Sequence, residues 1–370
     1  MTRLTKEQYR ELTAARVAAA EAVLATEVAG LVTGEDWRQF LDYQAKLHDL
    51  DADNVLLVVA QHRSANEQGR VPDPVPSYVA GFDTWKALGR HVERGQHGYT
   101  TLAPLGGSRR DTHDVTGGPL VVRRGEPRDA GETEAQAATR RGERPETVFA
   151  LSQTAGRDLA EPARPRLSPG VAPPGLGEAV LHLIEARGWK VTTVPDATGV
   201  DGADSRTYYG GRFINVRADL DESAMVKTLI HQATHVLVHG GPPGRYVPQA
   251  VKEIEADSVA YVVAAAHAMP TDDYRFPDVA RWAGEEADPA HKDRAVRDTQ
   301  ARISRAAQAI IAASPAEHGP GSRPPGADLS LAALRQIDQE AAARRAELLD
   351  RMAGRAEIPP LAGAGGPEVA

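Results

Sequence analysis

The sequence contains no cysteine among its 370 residues. Disulfides, cysteine-based zinc sites and a cysteine nucleophile are therefore excluded, and the composition fits a reducing compartment. No stretch approaches the roughly 20 apolar residues that a membrane-spanning helix needs. The first residues, MTRLTKEQYRELTAAR, lack the apolar run of a secretion signal. Together these absences predict a cytoplasmic protein with no membrane partner.

Positive charge is also scarce, because 43 Lys and Arg residues stand against 51 Asp and Glu, for a net charge of −8. A strongly basic chain would indicate nucleic-acid binding by composition alone. Here such binding would have to depend on a local site, and the global charge disfavours it. Hydrophobic residues make up 41% of the chain, and a chain of this length is expected to form two domains.

The first region predicts helices followed by short strands. Apolar residues recur at helical spacing after Thr5, which with Gln8 predicts a capping box. The apolar run 54–61 is compatible with a helix or a strand. Between about 106 and 145, Gly, Arg, Asp and Glu dominate, which predicts a disordered insertion.

The second region predicts a small sheet and then helices. A strand is expected at 189–194, and Gly210-Gly211 between apolar runs predicts a hairpin at 208–216. The predicted fold class is α+β, with a mostly helical second domain. The expected divisions are a first domain at 1–157, a Pro-rich linker at 158–174, a second domain at 175–313 and a low-complexity tail with one helix at 314–370.

The most informative motif is a histidine pair in the stretch TLIHQATHVLVHG at 228–240. That stretch includes His231 and His235, which lie four residues apart, so that one face of a helix would present both imidazoles to one metal ion. In zinc peptidases with the pattern His-Glu-x-x-His, the Glu is the general base. Gln232 stands at that position here, and a neutral amide cannot take up a proton near neutral pH. The pattern therefore predicts a degenerate catalytic position, although a bare His-x-x-x-His pair is common in helices without function.

A third ligand is expected from the following predicted helix. Glu253 and Asp257 lie four residues apart and hence on one face, so we expect Glu253 to be the ligand and Asp257 to orient a histidine. The pattern does not exclude Glu255 as the third ligand instead. His239, one turn after His235, is expected to support the site or the fold rather than to bind metal. Zinc is the expected ion.

These residues resemble the ImmA/IrrE-type gluzincins, in which a strand, a His-Glu-x-x-His helix and a later helix with a zinc-binding Glu follow one another. The chain matches that pattern at His231, His235, Glu253 and Asp257, and departs from it at Gln232. The resemblance implies a zincin-like fold, and the departure argues against efficient proteolysis.

The first region resembles the single-stranded-DNA-binding domain of ArdC-type antirestriction proteins. The matching segments are NVLLVVAQ at 54–61, VAGFDTWKALGR at 79–90 and HVERGQHGYTTLAP at 91–104. ArdC-type proteins join such a domain to a zincin domain in this order. The resemblance implies an antirestriction or mobile-element setting in which the chain binds single-stranded DNA.

Binding to single strands uses aromatic rings for bases and cations for phosphates. The residues expected to do so are Tyr78, Phe82, Trp85, Lys86, Arg90 and Arg94. The spacing of Trp85 and Leu88 is also typical of a buried helix face. Two other functions stay open: an active zinc-dependent metallopeptidase with a different base, and a non-catalytic scaffold for a peptide or protein partner.

Overall fold

The computed structural model describes residues 5–104, 143–159, 170–241, 243–284 and 288–314. The predicted tail, most of the predicted insertion and most of the linker lie outside these residues. Within them the protein is a mixture of helices and small sheets, which confirms the predicted α+β class. No helix among the described residues is long and apolar enough to cross a membrane.

Three helices open the fold: α1 (Lys6–Ala29), α2 (Gly34–Lys46) and α3 (Ala52–Glu67). The predicted capping box is present, because the Thr5 hydroxyl accepts from the Gln8 backbone and the Gln8 side chain accepts from the Thr5 N–H. The ambiguous run 54–61 is helical, and five of its apolar residues are buried in α3, namely Val55, Leu56, Leu57, Val58 and Val59.

Five short strands follow, with a one-and-a-half-turn helix between the first two. In chain order, the strands and this helix are β1 (Val79–Gly81), α4 (Phe82–Ala87), β2 (Arg90–Val92), β3 (Tyr99–Pro104), β4 (Glu143–Ala150) and β5 (Thr154–Gly156). β4 pairs antiparallel with both β1 and β3, and β2 pairs antiparallel with β5. Apolar residues of α3 pack against the larger sheet and form a core of their own.

The second half begins with α5 (Leu176–Glu185) and a three-stranded sheet of β6 (Lys190–Val194), β7 (Ser205–Tyr208) and β8 (Phe213–Arg217). The predicted hairpin is confirmed, because β7 and β8 pair antiparallel around Gly210. β6 lies parallel to β8, which leaves β7 at one edge of this sheet.

Helices then complete the second half: α6 (Glu222–Thr234), a π-helical turn (His235–His239), α7 (Gln249–Ala266), α8 (Ala280–Ala283) and α9 (Pro289–Ala313). One hydrophobic core extends from α1 and α2 into these helices. Trp37 of α2 is fully buried there, donates its indole N–H to Ser258 at 3.0 Å and packs edge-on against Trp282. Residues from both sides of the predicted linker therefore pack in one core. The division into two domains stays a prediction.

Candidate metal centre

Two helices bring three potential metal ligands together. His231 lies in the last turn of α6, His235 opens the π-helical turn, and Glu253 lies near the start of α7. The two histidine Nε2 atoms are 3.0 Å apart, and Oε2 of Glu253 is 3.4 Å from Nε2 of His231 and 3.7 Å from Nε2 of His235. Among the described residues, this is the group of His and acidic side chains whose ligand atoms converge closely enough for a metal ion.

The spacing fits a tetrahedral ion. Ligand atoms about 2.0 Å from zinc at tetrahedral angles lie roughly 3.3 Å from one another, and the three distances bracket that value. The donor set of two imidazoles and one carboxylate is also one that catalytic zinc sites use. Glu255 points away from this group, so the geometry favours Glu253 over Glu255 as the third ligand.

Asp257 of α7 is hydrogen-bonded to the first histidine. Its Oδ1 lies 2.9 Å from Nδ1 of His231, which leaves Nε2 facing the other ligands. Burial alone would lower the pKa of His231, but hydrogen bonds to Asp257 and Glu253 outweigh it and raise the pKa to about 9. Hydrogen bonds with His231 and His235 hold the pKa of Glu253 well below its usual range.

The second histidine is supported from the opposite side. The wider π-helical turn places Nδ1 of His239 3.1 Å from Nδ1 of His235, and such turns recur at functional sites. A Cβ at Gly244 would overlap the His239 backbone, so the close approach requires glycine there. Burial, which disfavours the charged imidazole, lowers the pKa of His235. A neutral His235 is the form that can bind a metal.

Gln232 is held by the edge strand β7. Its amide Nε2 donates to the Ser205 hydroxyl at 2.7 Å, and the Thr207 hydroxyl donates to its Oε1. The side chain is nearly buried. Both ends of the amide therefore have partners within the protein, and no proton acceptor stands at this position.

A cleft of about 730 Å³ opens beside the three candidate ligands. β7 forms one wall, and α6 together with residues 273–275 forms another. Within that second wall, Lys227 pairs with Asp273 at 3.1 Å and lies over the ring of Tyr274. The site is thus reached through a polar opening that is large enough for a peptide segment or a small molecule.

Three of the six residues expected to bind DNA are engaged within the fold. Trp85 is fully buried and donates its indole N–H to the Phe149 carbonyl at 3.0 Å, and Tyr78 is buried with it in a small core. Arg90 donates to the hydroxyl of Thr154 at 2.9 Å and to its carbonyl at 2.7 Å. The structure corrects the expectation here: the two aromatic rings are core residues, and the Arg90 guanidinium joins β2 to β5.

The other three remain available at the surface. Phe82 is 53% exposed at the start of α4, and Lys86 is exposed one turn later on the same helix. Arg94 is exposed in the turn after β2. Binding to single strands combines aromatic rings with cations, and these three residues supply one exposed ring and two exposed cations.

Sequence reasoning missed the residues that reach the site from distant elements. Ser205 and Thr207 come from β7, and Arg302 comes from α9, where its Nε lies 2.6 Å from Oε1 of Glu255. None of these belongs to a local motif, so no spacing rule would have found them.

No protein-family profile matches the chain, and no curated protein matches its sequence. Among solved structures, the Mn(II)-bound antirestriction protein ArdC from plasmid R388 is 18% identical, with a TM-score of 0.39 over 70% of this chain and 87% of that chain. The metal-free structure of the same protein is 20% identical, with a TM-score of 0.35 over 70% of this chain and 81% of that chain. Likeness at this level identifies no function, so the residues of the site have to support that inference.

Proposed function

We propose that the chain is an ArdC-like antirestriction protein of the cytoplasm that binds a divalent metal ion, with zinc as the expected ion, and single-stranded DNA. The metal site is the part that the geometry supports best. Three ligand atoms from two helices lie within 3.7 Å of one another, and the far nitrogen of each histidine faces a hydrogen-bonding partner. This is the arrangement that fixes ligand orientation in metal centres.

The proposed site lacks the base of an efficient peptidase. A divalent metal bound in such a site acts as a Lewis acid toward an oxygen atom. Hydrolysis would also need an acceptor for the proton of the attacking water, and the amide of Gln232 cannot serve because it is neutral and bonded at both ends. Loss of a general base costs roughly 10²–10⁴-fold in rate. We therefore propose a metal-binding protein with little or no peptidase activity.

Metal binding is tested by elemental analysis and by calorimetric titration with Zn²⁺ and Mn²⁺. The wild type should bind about one ion per chain, and the double variant His231→Ala/His235→Ala should bind far less. His182→Ala is the matched control, because His182 is an exposed histidine on α5 outside the site. Equal binding by the wild type and the double variant would refute the metal site.

The proposal of DNA binding depends on the sequence resemblance of the first region and on the exposed group Phe82, Lys86 and Arg94. The acidic total leaves little long-range attraction for a phosphate backbone. Stacking of a base on the exposed ring would therefore have to supply a large share of the affinity, at about 1–3 kcal/mol per base.

A labelled single-stranded oligonucleotide tests this part. Phe82→Ala should weaken binding by a factor of about 5 to about 150. Tyr246→Ala is the matched control, since Tyr246 is an exposed ring that precedes α7, in the second half of the chain. The absence of any salt-sensitive binding at micromolar protein would rule out the DNA function.

A further inference from the structure

A buried chain of hydrogen bonds leads from the metal centre to α9. Nδ1 of His235 lies 3.1 Å from Nδ1 of His239, and Nε2 of His239 lies 2.7 Å from Oε2 of Glu255. Oε1 of Glu255 accepts from Nε of Arg302 at 2.6 Å. The side chains of His239 and Glu255 are completely buried, and that of Arg302 is 28% exposed. The expected ligand set did not include Arg302, and it included Glu255 only as the alternative to Glu253.

The donor of each hydrogen bond in this series can be worked out by starting from His235 at the proposed metal site. If Nε2 of His235 binds the metal as a neutral imidazole, its Nδ1 must carry the proton. The neighbouring Nδ1 of His239 must then accept, so the proton of His239 is on Nε2. There the carboxylate of Glu255 accepts it, because an ionised carboxylate only accepts. Arg302 has no acceptor and can only donate to the other oxygen.

We propose that Glu255 and Arg302 are positioning residues that hold His235 in its metal-binding tautomer through His239. The inference depends on the proposed metal site. An ion pair that served folding alone would need only two opposite charges close together. Here each hydrogen bond has only one possible donor. The series of hydrogen bonds ends at His235, whose other ring nitrogen is the proposed ligand atom.

The variant Glu255→Gln distinguishes a role in positioning His235 from a role in folding alone, because it keeps the shape of the side chain. Arg302 can only donate, so the amide oxygen must face it and the amide N–H must face Nε2 of His239. His239 then accepts at Nε2 and carries its proton on Nδ1, opposite the Nδ1–H of His235. Either His235 moves its proton to Nε2 and loses the ligand atom, or this hydrogen bond breaks.

The expected effect on affinity is a loss of about 10- to 100-fold, the range typical of partners that orient metal ligands. Removal of Arg302 should counteract the loss, since the amide of Glu255→Gln can then turn its oxygen toward His239. We therefore expect Glu255→Gln/Arg302→Met to bind metal more tightly than Glu255→Gln alone. If Glu255 and Arg302 served folding alone, the double variant should bind metal no more tightly than Glu255→Gln, because it lacks one more contact.

The experiment is a Co²⁺ and Zn²⁺ titration of the wild type, Glu255→Gln and the double variant, with melting curves of the metal-free proteins. Arg297→Met is the control for Arg302→Met, because Arg297 is another ion-paired arginine on α9. Equal affinity of Glu255→Gln and the wild type, or a double variant that binds no better than Glu255→Gln, would overturn the proposal. A wild type that binds no metal would instead overturn the proposed function.

A second measurement does not depend on metal, and its first part uses the wild type alone. Nitrogen-15 NMR of labelled histidines in the metal-free wild type should show the proton of His239 on Nε2. In Glu255→Gln it should be on Nδ1. A proton on Nδ1 of His239 in the wild type would overturn the proposed direction of the chain.

Discussion

Restoring a carboxylate at position 232 should create peptidase activity. In Gln232→Glu the new side chain would lie beside the same two hydroxyls of β7, with Ser205 Oγ at about the 2.7 Å that it now has to the amide. Both hydroxyls can rotate to donate to a carboxylate, so the fold should tolerate the change. The variant would then hold a general base next to the proposed metal ligands.

The hydroxyls of Ser205 and Thr207 determine how much the cleavage rate of Gln232→Glu should increase. A positioned general base contributes about 10²–10⁴-fold, or roughly 3–5 kcal/mol of barrier. Two hydrogen bonds to the charged carboxylate stabilise it and reduce its basicity, so we expect the lower end, about 10²-fold. Removal of one donor in Gln232→Glu/Thr207→Val should raise the rate further.

The assay is cleavage of a peptide library by zinc-loaded protein, followed by mass spectrometry. Gln232→Ala controls for loss of the amide alone, and His231→Ala for loss of the proposed metal site. Equal metal content with no faster cleavage by Gln232→Glu than by the wild type would refute the reasoning. Chelator-sensitive cleavage by the wild type, unchanged in Gln232→Glu, would favour an active metallopeptidase with another base.

Three further variants and one control variant test the packing of the fold. Trp37→Ala should lower the free energy of unfolding by about 3–5 kcal/mol in urea titration, because the fully buried indole joins α2 to the helices that carry the ligands; a loss below about 1 kcal/mol would contradict this packing. Gly34→Ala should destabilise the protein in thermal melts, because the new Cβ would overlap the Phe276 carbonyl. Gly210→Ala, which meets nothing, should change stability by less than about 0.5 kcal/mol, and similar melting temperatures for the two glycine variants would refute the close contact. Arg90→Met should cost about 1–3 kcal/mol through loss of the contacts between β2 and β5, whereas a phosphate-binding role alone predicts unchanged stability.

The helices and the candidate ligands could be predicted from local patterns. The four-residue spacing of His231 and His235, and of Glu253 and Asp257, places each pair on one helical face whatever the helix packs against. The caps of α1 and the hairpin around Gly210 likewise depend on residues close together in the chain. Local spacing sufficed in these cases because helix and turn geometry is set within a few residues.

Other features depended on contacts between distant segments. The run 54–61 could be assigned as a helix only by its packing against β3, and Trp85 became a core residue rather than a DNA-binding surface by its burial beneath β4. Likewise, Glu255 points to His239 and Arg302 only because α7 packs between the π-helical turn and α9. The sequence by itself determined which side chains share a face of a helix. The tertiary structure decided what each face meets, because that depends on how segments far apart in the chain pack together.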